Sequence, residues 1–170
     1  KNMNQPLVSQ LRFARNELMR ALEGVSDEEA RRRFEPMNCI SWMVGHLANQ
    51  ENTYWVFLAQ TQKLEPGLRD LVGYGRPAST PPLADMWTAW HNITRTADEY
   101  LDTLTSDILQ THFEWQGEPM KESVGTMLLR NIYHYWYHIG ESQAVRQLLG
   151  HTNLPEFVGD LGLQAPFRPE

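Results

Sequence analysis

Two histidines stand four residues apart in Tyr133-His134-Tyr135-Trp136-Tyr137-His138-Ile139-Gly140-Glu141. On an α-helix that interval puts both imidazoles on one face. Histidines at i and i+4 can aim ring nitrogens at one cation about 2.0–2.1 Å away, which is why the spacing recurs in zinc sites. In the same phase, Asn131, His134, His138 and Glu141 fall at i, i+3, i+7 and i+10, a polar stripe on a segment otherwise crowded with aromatics. A polar stripe on an apolar helix points inward. The competing reading is a pair of half-buried histidines hydrogen-bonded within an aromatic core. What weighs against it is His46, in Trp42-Met43-Val44-Gly45-His46-Leu47-Ala48-Asn49-Gln50-Glu51, where it interrupts an apolar stretch on a second helix. Three imidazoles from two helices leave coordination positions open, as catalytic sites do. A structural zinc site closes its fourth position with protein, usually cysteine, and Cys39 is the single cysteine of the chain.

The zinc-peptidase pattern HExxH is absent, because Tyr135 stands where its general base would be. Glu141 is then the nearest carboxylate by helical phase. It could bind the cation, orient a ligand imidazole, or act as a base toward a metal-bound water or thiol; its alternative is a surface glutamate near Arg130 or Arg146. His91, His112 and His151 fall in exposed-looking or terminal contexts and read as solvated. Asn49 and Gln50 are either donors behind the histidines or solvent-facing polar residues. Trp42, Trp55, Trp87, Trp90 and Trp136 read as core, and Cys39 as a small buried hydrophobe. Gly73-Tyr74-Gly75 is not a phosphate loop, since no strand precedes it and no GKS/T follows.

The elements that must position these groups are helical. Leu7, Leu11, Ala14, Leu18 and Leu22 recur at helical spacing, with Arg12, Arg15 and Glu17 off the stripe, and Gly24 ends that helix. Ser26-Asp27-Glu28-Glu29 forms a capping box for a short helix over 27–34, stopped by Pro36. A long helix opens near Ser41 and runs to about Gln62, carrying Trp42, Gly45, His46, Asn49 and Thr53 along one side. Residues 63–82 hold four prolines and three glycines, a long connection that resists regular structure and, from Leu71, Val72 and Tyr74, reads as an ordered lid. A helix then follows Pro81-Pro82 as far as about Leu104. Phe113 to Met120 reads as a small hairpin. The last helix runs from about Ser123 to Leu149 and stops at Gly150, leaving residues 150–170 as a C-terminal tail. The expectation is all-α: a four-helix bundle with short extra helices and a long loop, a single domain over residues 1–170.

Composition bounds the function. The chain has 170 residues, enough to bury roughly two-thirds of the surface its unfolded form exposes. Fifteen Lys and Arg against twenty-one Asp and Glu leave a formal charge of −6, which repels phosphate backbones and anionic lipid heads. No nucleic-acid or membrane partner is expected. With a mean hydropathy of −0.51 and no apolar run of spanning length, no transmembrane segment is expected either. The opening Lys1-Asn2-Met3-Asn4 lacks the apolar stretch of a secretory signal. A lone cysteine suits a reducing compartment, so a cytoplasmic protein is expected.

Taken in order along the chain, Ser26-Asp27-Glu28-Glu29, Ile40-Ser41-Trp42-Met43-Val44-Gly45-His46-Leu47-Ala48 and Tyr133-His134-Tyr135-Trp136-Tyr137-His138-Ile139-Gly140-Glu141 resemble the DinB-like (YfiT-like) metalloenzyme family over nearly its whole length. The resemblance implies a four-helix bundle of up-down-down-up connection, commonly a homodimer. His46, His134 and His138 would then hold a divalent ion, zinc or nickel first and iron or manganese as alternatives. Related members include bacillithiol S-transferases and mycothiol-dependent maleylpyruvate isomerases. By resemblance the chemistry is attack of a metal-activated low-molecular-weight thiol on a small-molecule electrophile, with the all-histidine set closer to the transferases and Glu141 departing from the Gln of many relatives. The alternatives are a metal-dependent hydrolase with Glu141 as base and a non-catalytic metal- or ligand-binding bundle.

Overall fold

The structure, a computed structural model, describes residues 4–170, so the polar opening Lys1–Met3 lies outside the described residues. Four long helices carry the fold: α1 (Pro6–Ala21), α3 (Ile40–Glu51, continued as a π-helix over Asn52–Leu58), α5 (Leu83–Leu101) and α7 (Val124–Leu148). Four short helices punctuate them: α2 (Asp27–Arg31), α4 (Leu68–Val72), α6 (Ser106–Leu109) and α8 (Leu161–Gln164). Strands β1 (Glu114–Trp115) and β2 (Glu118–Pro119) pair antiparallel. No helix among the described residues is long and apolar enough to cross a membrane.

Contacts fix the directions of the long helices. Near the start of α3, Gly45 lies so close to Met86, near the start of α5, that an added Cβ would stand 2.4 Å from its sulfur. Near their ends Trp55 stacks on Tyr100 with ring centroids 6.2 Å apart, so α3 and α5 run parallel. Likewise α1 and α7 run parallel, Phe13 meeting Trp136 at 5.9 Å and the Ala21 carbonyl accepting from Arg146 Nη1 at 2.6 Å. Trp55 reaches Asn131 while Trp42 lies edge-on to His138, which makes α3 and α7 antiparallel. Arg15 reaches Asp98 and Arg12 reaches Asp102, the residue that caps the end of α5, so α1 opposes α5. The connection is up-down-down-up. Parallel neighbours cannot be joined by a tight turn, so the chain between α3 and α5 must travel back along a helix of roughly 28 Å. Residues 63–82 do this.

That stretch is more ordered than its prolines and glycines predict. Gly67, at φ 89°, turns the chain into α4, whose Leu68 and Val72 are buried at i and i+4; two apolar anchors one turn apart outweigh the breakers on either side. The capping box of α2 is formed, with Ser26 Oγ accepting from Glu29 N and Glu29 Oε2 accepting from Ser26 N. The helix nevertheless stops at Arg31, before Pro36, because Arg32 turns extended. At the other end of the bundle α7 closes as expected: His151 N donates to Arg146 O and Gly150 N to Gln147 O, both at 3.0 Å, with Gly150 at φ 86°. The hairpin is present as well. Its turn residues Gln116 and Gly117 take φ 53° and 83°, the left-handed pair of a type I′ turn.

Two charged residues read as off the stripe of α1 are buried: Arg15 is 5% and Glu17 2% exposed. Arg15 Nε donates to Glu51 Oε2 at 3.0 Å, its Nη2 donates to Glu51 Oε1, and its Nη1 donates to Asp98 Oδ1 at 2.7 Å. The Tyr135 hydroxyl donates to the same Glu51 carboxylate and accepts from Trp90 Nε1 at 2.9 Å. Arg15, Glu51, Trp90 and Tyr135 thus link all four long helices through one closed polar cluster, in which burial holds the Tyr135 phenol well above its ordinary range. Glu17 is covered by the tail, accepting from Arg20 and from Gly159 N at 3.2 Å. The tail therefore packs along α1, with Phe157 under the Arg20 guanidinium and Ala165 O accepting from Gln10 at 2.7 Å.

Candidate metal centre

His46 on α3 and His134 and His138 on α7 meet where these antiparallel helices pass. One ring nitrogen from each lies within 4.8 Å of the other two, and the Nε2 atoms of His134 and His138 are 3.0 Å apart. His46 packs edge-on to both partner rings, at 4.9 and 5.3 Å between centroids. Trp42 stacks on its other face at 4.3 Å, so a tryptophan read simply as core also fixes the plane of this imidazole. His46 and His134 are half-buried and His138 is buried.

Each imidazole is anchored through Nδ1 to an acceptor. His46 Nδ1 lies 2.7 Å from the carbonyl of Val72, at the end of α4. His138 Nδ1 lies 3.2 Å from Glu141 Oε1, one turn further along α7. His134 Nδ1 lies 2.9 Å from Gln50 Oε1. The last contact is fixed by a relay. Trp55 Nε1 can only donate and does so to Asn131 Oδ1 at 2.8 Å; that turns Asn131 Nδ2 toward Gln50 Oε1 at 3.0 Å and leaves an acceptor facing His134. A carbonyl, a carboxylate and an amide oxygen all require N–H at the facing Nδ1, so in each neutral ring the proton sits on Nδ1 and Nε2 carries a lone pair. Burial holds His134 down at about 3, with His138 and His46 adding to the effect. Burial likewise lowers His46, against the pull of the Val72 carbonyl. Rings of this tautomer present the Nε2 lone pairs that bind metal, and with the Nε2 atoms of His134 and His138 3.0 Å apart one cation can engage both. That separation is close to the roughly 2.9–3.4 Å between neighbouring donors in a coordination shell with bonds of about 2.0–2.1 Å. The donor set fits a divalent ion.

Beside the histidines a cavity of about 550 Å³ opens, lined among others by Gln50, Arg130, Tyr133, His134 and Tyr137. Tyr133 and Tyr137 are 64% and 66% exposed, an aromatic rim rather than core. Arg130 is paired with Glu122 and Arg146 with His151 and Ala21, so neither holds Glu141. The other histidines stay apart from the centre. His91 and His112 are exposed, but His151 is not the free solvated residue its position suggests: it accepts at Nδ1 from Arg146 Nε and contacts Glu29 Oε1 through Nε2, both at 2.9 Å. Cys39 is fully buried as expected. Of the contributors besides the histidines, Gln50 was visible only as one of two polar residues one turn beyond His46. Val72 had no signal, because a backbone carbonyl leaves no trace in residue type.

The comparison with curated proteins finds no match to this chain. A family model does match: that of the mycothiol-S-transferases covers residues 6–150, a span taking in all four long helices and the three histidines, and the chain belongs to this DinB-like family.

Proposed function

We propose that the protein transfers a low-molecular-weight thiol to a small electrophile at a divalent cation held by the Nε2 atoms of His46, His134 and His138. The observation that carries this reading is the convergence of three lone pairs whose tautomers are set by Val72, Gln50 and Glu141. A bound cation would supply a thiolate at neutral pH by lowering the thiol pKa. The thiol proton passes to solvent, sulfur bonds to the electrophilic carbon, and the leaving group departs with the electron pair of the bond that breaks. An all-imidazole set suits zinc or nickel better than the harder manganese ion.

The chain's own residues position the reaction. Glu141 is assigned a positioning role, since its Oε1 is engaged with His138 Nδ1, the nitrogen opposite the one assigned to the cation; that engagement favours thiol transfer over hydrolysis with Glu141 as base. Tyr133 and Tyr137 offer flat surfaces on which a substrate can lie as it enters. The test is a conjugation assay pairing mycothiol, bacillithiol, glutathione or coenzyme A with a fluorogenic alkyl halide, run on zinc-loaded wild type and His138→Ala. Turnover with one of these thiols that disappears in the variant is expected. Equal rates in both proteins contradict the reading.

A further inference from the structure

We propose that the groove between the π-helical end of α3, residues 62–69 and the β1–β2 hairpin is the acceptor-substrate site, and that it selects an aromatic acid: a flat apolar body bearing one carboxylate. This rests on the thiol-transfer reading and adds the class of electrophile to it. The groove encloses about 500 Å³, and Asn49, Phe57, Lys63, Glu65, Arg69 and Trp115 are among its lining. That is the size of a small-molecule site.

Its position ties it to the metal centre. Asn49 lines the groove and lies one turn from His46, while its neighbour Gln50 lines the cavity at His134, so adjacent residues of α3 face the two spaces. Arg69 reaches the groove from α4, the helix whose Val72 carbonyl holds His46. The wall is aromatic: Trp115 packs edge-on to Phe57 with centroids 5.3 Å apart and is left 47% exposed by a two-residue strand. A large ring held open to solvent beside other apolar side chains marks a binding surface.

Charge selects the anion. The chain carries −6 overall, yet two cations stand at this groove. Among the described residues neither Lys63 nor Arg69 forms an ion pair; Lys63 Nζ lies 5.9 Å from the Phe57 ring, and Glu65, the one lining carboxylate, accepts from Asn92 Nδ2 at 3.3 Å. Nearby cations are neutralised, Arg76 by Asp70 and, at the cavity beside His134, Arg130 by Glu122. With Glu65 counted against Lys63 and Arg69, the groove lining keeps one net positive charge, whereas the cation at the cavity beside the histidines is paired. A carboxylate between Lys63 and Arg69 lets an aromatic body rest on Trp115 and Phe57.

Calorimetric titration of zinc-loaded protein with 2-naphthoate and with neutral 2-naphthylmethanol tests this. In wild type the acid should bind about five- to tenfold more tightly than the alcohol, the advantage expected of two rim ion pairs. Lys63→Gln combined with Arg69→Gln should erase that advantage without weakening the alcohol, and Trp115→Ala should weaken both ligands. His138→Ala should bind the acid as wild type does, because no groove residue belongs to the metal centre. An acid that binds no better than the alcohol, an advantage that survives in the double variant, or binding lost in His138→Ala overturns the proposal. In turnover, 2-naphthoate should compete with the electrophile and not with the thiol; the reverse pattern overturns it too. If the acid binds as described and no thiol is transferred, the groove still selects aromatic acids and the transfer reaction alone fails.

Discussion

In the proposed reaction Glu141 and Gln50 act on the candidate metal centre through His138 and His134, and substitutions separate that role from a direct one. Glu141→Leu and Gln50→Leu each remove the acceptor of a ligand's Nδ1 proton and should lower zinc affinity about 10–100-fold. Glu141→Gln keeps an acceptor oxygen and should retain most of the affinity; competition against a chromophoric chelator reads all three. If Glu141 were itself a ligand, the Gln variant would fall as far as the Leu variant. The three histidines were legible at this scale because i, i+4 spacing and an interrupted apolar stretch survive in sequence. The Trp55–Asn131–Gln50 relay was not, since it joins two helices 76 residues apart in the chain and no periodicity within either predicts the meeting.

Elements hold these side chains in place, and their ends are where the sequence speaks most directly. The Ser26 cap joins α2 to the tail through His151, and hydrogen bonds from Ser26 N and then from His151 pull the Glu29 carboxyl from 4.5 to about 2. A carboxylate lowered in the folded state contributes stability that is complete above its unfolded value and is lost as pH falls through the folded one. Glu29→Gln should therefore be less stable than wild type at pH 6, with the deficit shrinking below about pH 4.5 and vanishing toward pH 2, as followed by urea midpoints. A deficit that stays constant with pH would show that charge is not its cause. Caps, breakers and the Gly150 stop were readable because they depend on a few adjacent residues. The π-helical turn and α4 were not: the first carries Trp55, which bonds Asn131 on α7, and the second rests on Leu68 and Val72 joining the apolar core.

Across the whole molecule, four long helices in up-down-down-up order are joined at their centre by the Arg15–Glu51–Tyr135–Trp90 cluster. Glu51→Ala leaves a buried guanidinium with only Asp98 and should cost about 3–5 kcal/mol. Tyr135→Phe, which strands the Trp90 N–H and removes one donor to Glu51, should cost about 1–3 kcal/mol. Denaturant unfolding measures both, and a loss below about 0.5 kcal/mol for Glu51→Ala would mean that the cluster does not hold the bundle. Helical periodicity identified the bundle but treated Arg15 and Glu17 as an outer face, because a stripe rule assigns charge to solvent and cannot see a partner on another helix or a tail laid over the surface. The histidines stand beside this cluster, on the helices it joins. Elemental analysis of protein purified without added metal or a histidine tag, repeated on His46→Ala, His134→Ala and His138→Ala, tests the account at its centre. It predicts about one divalent ion per chain in wild type and loss of that ion in each variant. No ion in wild type even after loading with zinc or nickel, or an ion undiminished in the variants, would contradict it.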